Sequence, residues 1–132
     1  MACLLDTNIV IHLRDGDSEI IDRLAELAPP LAIAIISRVE LENGVYRDPR
    51  WTSTRRTALD LVLSEVATID FGEEELHAYQ GIVRDKGYSR RKTVDRMIAA
   101  TALAHGLSLV TMNAGDFADI DGLQILDWAS QD

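Results

Sequence analysis

Cysteine is almost absent from this sequence: Cys3 is the only one. One thiol excludes an internal disulfide framework and fits a reducing compartment. Cys3 reads as a small hydrophobe packed in the first strand. Long hydrophobic runs are lacking too, and nothing approaches the roughly 20 apolar residues that span a bilayer. Asp6 falls too early for the apolar core of a signal peptide, so no targeting segment, no membrane partner and a cytoplasmic location are expected. There is no repeat, no low-complexity tract and no glycine-rich phosphate loop; the "DGDS" at 15–18 reads as a turn and helix cap. The three histidines, His12, His77 and His105, show no ligand spacing, so a zinc site is not expected. His77 and His105 read as helix-surface or half-buried residues. Ser37 has no visible base and acid partner, which leaves a serine hydrolase without support.

Positive charge is also scarce, with 13 basic against 22 acidic side chains and a net charge of −9. Taken as an average, that argues against a nucleic-acid partner. Its distribution argues otherwise. Residues 84–96 hold Arg84, Lys86, Arg90, Arg91, Lys92 and Arg96 against Asp85 and Asp95, a balance of +4. Residues 46–56 hold Arg47, Arg50, Arg55 and Arg56 against Asp48, a balance of +3, which leaves −16 for the rest. A basic rim around an acidic centre is the pattern this describes. Trp51, beside the arginines, suits either packing or stacking on a base, whereas Trp128 reads as core.

What is present is an alternation of short apolar runs with amphipathic segments. Residues 2–5 (ACLL) read as a buried strand, and 18–28 as a helix ended by Pro29 and Pro30. Residues 32–36 (AIAII) read as a second strand, followed by a helix capped by Ser37 and running to about Gly44. A helix at about 53–65 and a strand at 67–70 come next, then a helix opened by Glu73, Glu74 and Glu75 that closes near Gly87. A helix at about 94–105 stops at Gly106, and 107–111 and 123–127 read as strands. Near-continuously apolar strands alternating with helices predict a single domain over 1–132. Its expected fold is a three-layer α/β/α sandwich around a central, mainly parallel sheet.

In such folds, sites lie beyond the carboxyl ends of the strands. Asp6 follows the first strand, Glu40 lies one turn into the helix after the second, Asp95 sits in the first turn of the helix before LSLVT, and Asp116 follows that strand in "TMNAGDF". Four carboxylates at one sheet edge would repel one another and raise their own pKa values. A hard divalent cation, Mg²⁺ or Mn²⁺, removes that penalty. Metal-activated water could then attack a phosphodiester whose neighbouring phosphates rest on the two basic stretches. Each acid also has a plainer use. Asp6 or Thr7 could cap the next helix, Asp95 could complement a dipole beside a Thr93 cap, and Asp116 could serve a turn with Asn113. Glu40 falls among Val39, Leu41 and Val45, read as close to the sheet, where an unpaired carboxylate is costly. Glu42, about 200° around the helix, reads as solvated.

The pieces "LLDTNIVI" (4–11), "SRVELENGV" (37–45), "DRMIAATALAHGLSLVT" (95–111) and "NAGDF" (113–117) together resemble the PIN-domain ribonucleases. Within them the chain is similar to the VapC toxins of VapBC toxin–antitoxin pairs. That resemblance makes Asp6, Glu40, Asp95 and Asp116 the catalytic, metal-binding quartet. Thr7 and Asn8 support the first acid, and Thr111 and Asn113 orient the fourth corner. Asn113 is neutral, which selects Asp116 as the last acid. Arg90, Arg91, Lys92 and Arg96 are the candidate RNA contacts. The resemblance further implies Mg²⁺- or Mn²⁺-dependent endonucleolytic cleavage of structured RNA (transfer or ribosomal), leaving 5′-phosphate and 3′-hydroxyl ends. It implies a homodimer, a cognate VapB-type antitoxin covering the acidic pocket, and operator DNA bound only through that antitoxin. Two other classes are weighed against this. A binding module with vestigial activity would have no need to gather carboxylates. An aspartyl-nucleophile phosphatase would need a second Asp two residues after Asp6, where Asn8 stands.

Overall fold

The computed structural model describes residues 2–129, so residues 1 and 130–132 of the expected domain lie outside the described residues. Five short strands form one sheet: β1 (Cys3–Leu5), β2 (Leu31–Ala34), β3 (Ala67–Ile69), β4 (Ser108–Thr111) and β5 (Ile125–Asp127). Their order is β3-β2-β1-β4-β5 and every pairing is parallel. The strand order reverses between β1 and β4, which run side by side with Leu5 opposite Val110. A crevice opens beyond the carboxyl ends of the strands at such a reversal.

Alternation along the strands sends side chains to two separate cores. Cys3, Leu5, Ile33 and Val110 face one side. There α1 (Thr7–Arg14), α2 (Ser18–Ala25), α3 (Ile35–Tyr46) and α4 (Thr52–Leu63) cover them with Ile9, Ile20, Leu41, Val45 and Leu59. Leu4, Ala32, Ala34 and Leu109 face the other side, beneath α5 (Glu73–Lys86) and α6 (Thr93–His105). The small Ala99, Ala100 and Ala102 let α6 lie close on the sheet. Gly106 ends α6 with φ +64°, a left-handed value that glycine adopts without steric cost. The result is the expected three-layer α/β/α sandwich, with six helices on a fully parallel sheet among the described residues.

Three local expectations need correction. The helix after the turn at 15–18 ends at Ala25, before the two prolines, and its cap is Asp17, which accepts from Glu19 N at 3.1 Å. Ser37 is not a cap: β2 ends at Ala34 and α3 starts at once at Ile35, with no side-chain cap bond. Ser37 is instead fully buried inside α3. Likewise Thr93 is the first residue of α6, and the cap position belongs to Lys92.

Candidate metal centre

The site grows out of the β1–β4 junction. Asp6 leaves β1 with its backbone N–H bonded to Val110 O at 2.9 Å, and its extended backbone places it as the cap of α1. Oδ1 accepts from the Thr7 N–H at 2.8 Å, and Oδ2 accepts from Thr111 Oγ1, at the end of β4, at 2.7 Å. The Asp6 carboxylate is thus fixed at both oxygens and only 5% exposed. Burial is the main force raising its pKa; Glu40 and Asp116 add to the rise, and the bonds from Thr111 and Thr7 oppose it.

Thr7 ties the first acid to the second. Its hydroxyl donates to Glu40 Oε1 at 2.6 Å and lies 2.9 Å from Ser37 Oγ. Ser37 therefore serves as a polar strut between α1 and α3, a role sequence spacing did not reveal. Glu40 itself is exposed, contrary to the expectation of burial against the sheet. Leu41 and Val45 form the inward face of α3, while Val39 is 51% exposed, so an apolar neighbour misreported the side on which Glu40 lies. Glu42 is half-buried and pairs with Arg56 Nη1 at 2.5 Å, which corrects its reading as solvated.

Asp95 stands in the first turn of α6, half-buried. Its pKa is pushed up to about 6, first by desolvation and then by the charges of Asp6, Asp116 and Glu40, with Lys92 pulling the other way. Asp6, Asp116 and Glu40 thus act on Asp95 as neighbouring like charges. Asp116 lies in a 3₁₀ turn (Ala114–Phe117) anchored by the buried Phe117; its N–H bonds Asn113 O at 3.0 Å and its side chain is exposed. Asn113 is exposed, and its N–H bonds back to Thr111 Oγ1 at 3.0 Å. Arg91, Lys92, Asp95 and Asp116 line one cavity of about 280 Å³. Nearby in sequence, the buried Asn8 Oδ1 has no hydrogen-bond partner among the described residues. Four neighbouring carboxylates, with Lys92 as the cation that lowers the Asp95 value, fit a hard divalent cation with bound water.

The quartet is open rather than tight. Among the described residues, the group whose ligand atoms all lie within 4.8 Å of one another is Glu74, Glu75 and His105. His105 is ten positions beyond Asp95 on α6, which puts it about 15 Å away along the helix. Glu75 is already engaged, accepting from Gly72 N at 3.0 Å and facing His105 Nε2 at 3.4 Å. The absence of histidine spacing in the sequence hid this pair, since its partners lie thirty positions apart.

The basic residues divide. Arg90 and Arg91 are exposed; Lys92 is half-buried, with Nζ 3.6 Å from Asp119. Arg96, expected among the RNA contacts, is 4% exposed. Its Nη1 donates to Gly87 O at 2.7 Å and Nη2 lies 3.9 Å from Asp119, so it faces inward and leaves no guanidinium surface for a phosphate. Three of the four arginines of the second basic stretch are also engaged within the protein, and Arg47 is exposed. Arg50 pairs with Asp48, Arg55 donates to Gly44 O at 2.9 Å, and Arg56 binds Glu42 and Asp60. Trp51 is half-exposed beside Arg55, and Trp128 is buried under Arg23, whose guanidinium sits 4.6 Å from the ring centroid.

The PIN domain family model matches residues 3–123. Ribonuclease VapC1 of Rickettsia felis is 34% identical over 137 aligned residues, covering 100% of each chain. A chain in the crystal structure of VapBC2 from Rickettsia felis bound to a DNA fragment from its promoter superposes with a TM-score of 0.86 at 28% identity, covering 97% of this chain and 99% of that one. A chain in the structure of VapBC-1 from nontypeable Haemophilus influenzae superposes with a TM-score of 0.78 at 27% identity, covering 97% and 98%.

Proposed function

Because this chain belongs to the PIN domain family, among its VapC-type ribonucleases, we propose that it is the toxin of a type II toxin–antitoxin pair. On this reading it is a Mg²⁺- or Mn²⁺-dependent endoribonuclease acting on structured RNA, transfer or ribosomal. The observation that carries the reading is geometric: Asp6 is pinned at both oxygens by Thr7 and Thr111, Thr7 holds Glu40, and Asp95 and Asp116 line one cavity, the Asp95 carboxyl being raised by burial and by Asp6, Asp116 and Glu40. A protein gains no stability from gathering such acids; a divalent ion makes the arrangement favourable.

Asp6, Glu40, Asp95 and Asp116 would hold the ion, some through water, which suits an open quartet and a cation that sheds its waters reluctantly. A bound ion would supply Lewis-acid charge stabilisation and lower the pKa of water; attack of that water on phosphorus, with the P–O3′ bond breaking and the 3′ oxygen taking up a proton, leaves 5′-phosphate and 3′-hydroxyl ends. The chain's own residues do the positioning. Thr111 and the Thr7 N–H fix both oxygens of Asp6, so its acceptor directions are set before substrate arrives. Thr7 Oγ1 holds Glu40, and Asn113 N–H orients the Thr111 hydroxyl. Arg91 and Lys92, in the wall of the cavity, place positive charge where a phosphate would enter.

The partner reading draws support from an apolar groove of about 590 Å³ between α2 and α4, lined by Leu13, Ile21, Leu24, Leu61 and Val62 among others. It suits the apolar face of an antitoxin helix. Relatives crystallised as VapBC complexes, one of them on promoter DNA, support a VapB-type partner and contact with operator DNA through it. A homodimer and a cytoplasmic location complete the proposal; no described helix is long and apolar enough to cross a membrane.

Purified protein freed of partner, given Mn²⁺ and total RNA, should cut at defined positions. Asp95→Asn should abolish cutting while keeping the circular dichroism of the wild type. Undiminished cleavage by Asp95→Asn, or by the wild type in EDTA, would overturn the proposal.

A further inference from the structure

We propose that the loop at 87–92 is a stacking platform for an unpaired nucleotide of the RNA, with Tyr88 as its specificity-determining residue. This rests on the ribonuclease reading and deepens it.

Tyr88 is 78% exposed, the highest value among the exposed large hydrophobic side chains of the described residues. Its loop is nevertheless anchored. Buried Arg96 donates to Gly87 O at 2.7 Å, on one side of Tyr88, and Thr93 Oγ1 donates to Ser89 O at 3.1 Å, on the other. Thr93 N–H adds a bond to Arg90 O at 3.3 Å. The backbone is therefore fixed from the α6 side while the aromatic ring projects into solvent. An exposed ring on a pinned backbone loses little entropy when a flat partner settles on it.

The same loop reaches the metal centre. Arg91 and Lys92 line the cavity with Asp95 and Asp116, and Tyr88 is three positions from Arg91, at most about 11 Å along the chain. The side chains of Arg90 and Arg91 have no acidic partner among the described residues, in contrast to Arg50 and Arg56 of the other basic stretch. An aromatic face and two unspent cations beside a nucleolytic cavity match what a single strand offers, a base to stack and flanking phosphates to neutralise. A paired base has no free face, so the ring selects for unpaired nucleotides next to the cut.

The test compares wild type, Tyr88→Ala and Tyr88→Phe in EDTA, by fluorescence anisotropy of a short unstructured oligoribonucleotide and of a blunt-ended, fully paired RNA duplex. Tyr88→Ala should weaken binding to the unstructured RNA by about 5- to 100-fold, the range of one stacked base. Tyr88→Phe should stay within about twofold of wild type, and duplex binding should not change for either variant. Equal weakening on both RNAs, no weakening on either, or a changed oligomeric state for Tyr88→Ala would each overturn the platform. Cleavage by the wild type in Mn²⁺ is measured alongside. Loss there sinks the ribonuclease reading, whereas intact cleavage with an inert Tyr88→Ala sinks the platform alone.

Discussion

Asp95→Asn should make the metal-free protein more stable while abolishing its response to metal. The Asp95 carboxyl sits at about 6 against an ordinary 3.8, owing to desolvation and to Asp6, Asp116 and Glu40. For an acid raised in this way, the folded state holds a proton that the unfolded chain releases. The stabilising effect of that proton is full below pH 3.8 and is lost as pH rises through about 6. At 1.36 kcal/mol per pH unit, the gap amounts to at most about 3 kcal/mol at neutral pH. Because the side chain is half-exposed and solvent screens it, about 1–2 kcal/mol is the working figure. A neutral amide carries no such penalty, so the melting temperature of Asp95→Asn in EDTA at pH 7.5 should exceed that of wild type by roughly 3–8 °C. At pH 4.5 the difference should shrink. Mn²⁺ at pH 7.5 should raise the melting temperature of the wild type and leave that of the variant nearly still. Scanning fluorimetry reads all of these. A variant that melts lower than wild type in EDTA at pH 7.5 would refute the reasoning, since it would make Asp95 a structural carboxylate rather than a tolerated liability.

Thr111→Val removes the donor to Asp6 Oδ2 while nearly conserving shape; urea denaturation at pH 7.5 should show a loss of about 1.5–3 kcal/mol, and RNA cleavage should fall with it. Arg96→Met strips Gly87 O of its partner and leaves Asp119 with Lys92 alone, which should cost about 2–4 kcal/mol in the same assay and expose the 87–92 loop to trypsin. Leu61→Glu, at a site 69% exposed on the groove wall, should leave RNA cleavage and melting temperature near wild type but weaken antitoxin binding at least about tenfold by calorimetry.

The layers of the fold were legible because a sheet buried on both faces writes itself as unbroken apolar runs, as in ACLL and LSLVT. The helix ends at Gly87 and Gly106 were legible because a glycine marks the stop. The β2–α3 junction was not. AIAII is apolar throughout, yet Ile35 and Ile36 are already helical and the cap, Ala34, makes no side-chain bond, so nothing in the pattern marks the change of period. The four acids stood out through their place at strand ends, whereas what supports them did not. Ser37 against the Thr7 hydroxyl, and Arg96 behind its loop, act through tertiary contacts that no local spacing encodes. The run of basic residues at 84–96 read as one surface, but burial takes Arg96 out of it.

The most direct measurement is an anomalous difference map from a crystal soaked in Mn²⁺. The account predicts a peak beyond the carboxyl ends of β1 and β4, among Asp6, Glu40, Asp95 and Asp116. A map bare at that place, or with density only at Glu74, Glu75 and His105, would contradict it.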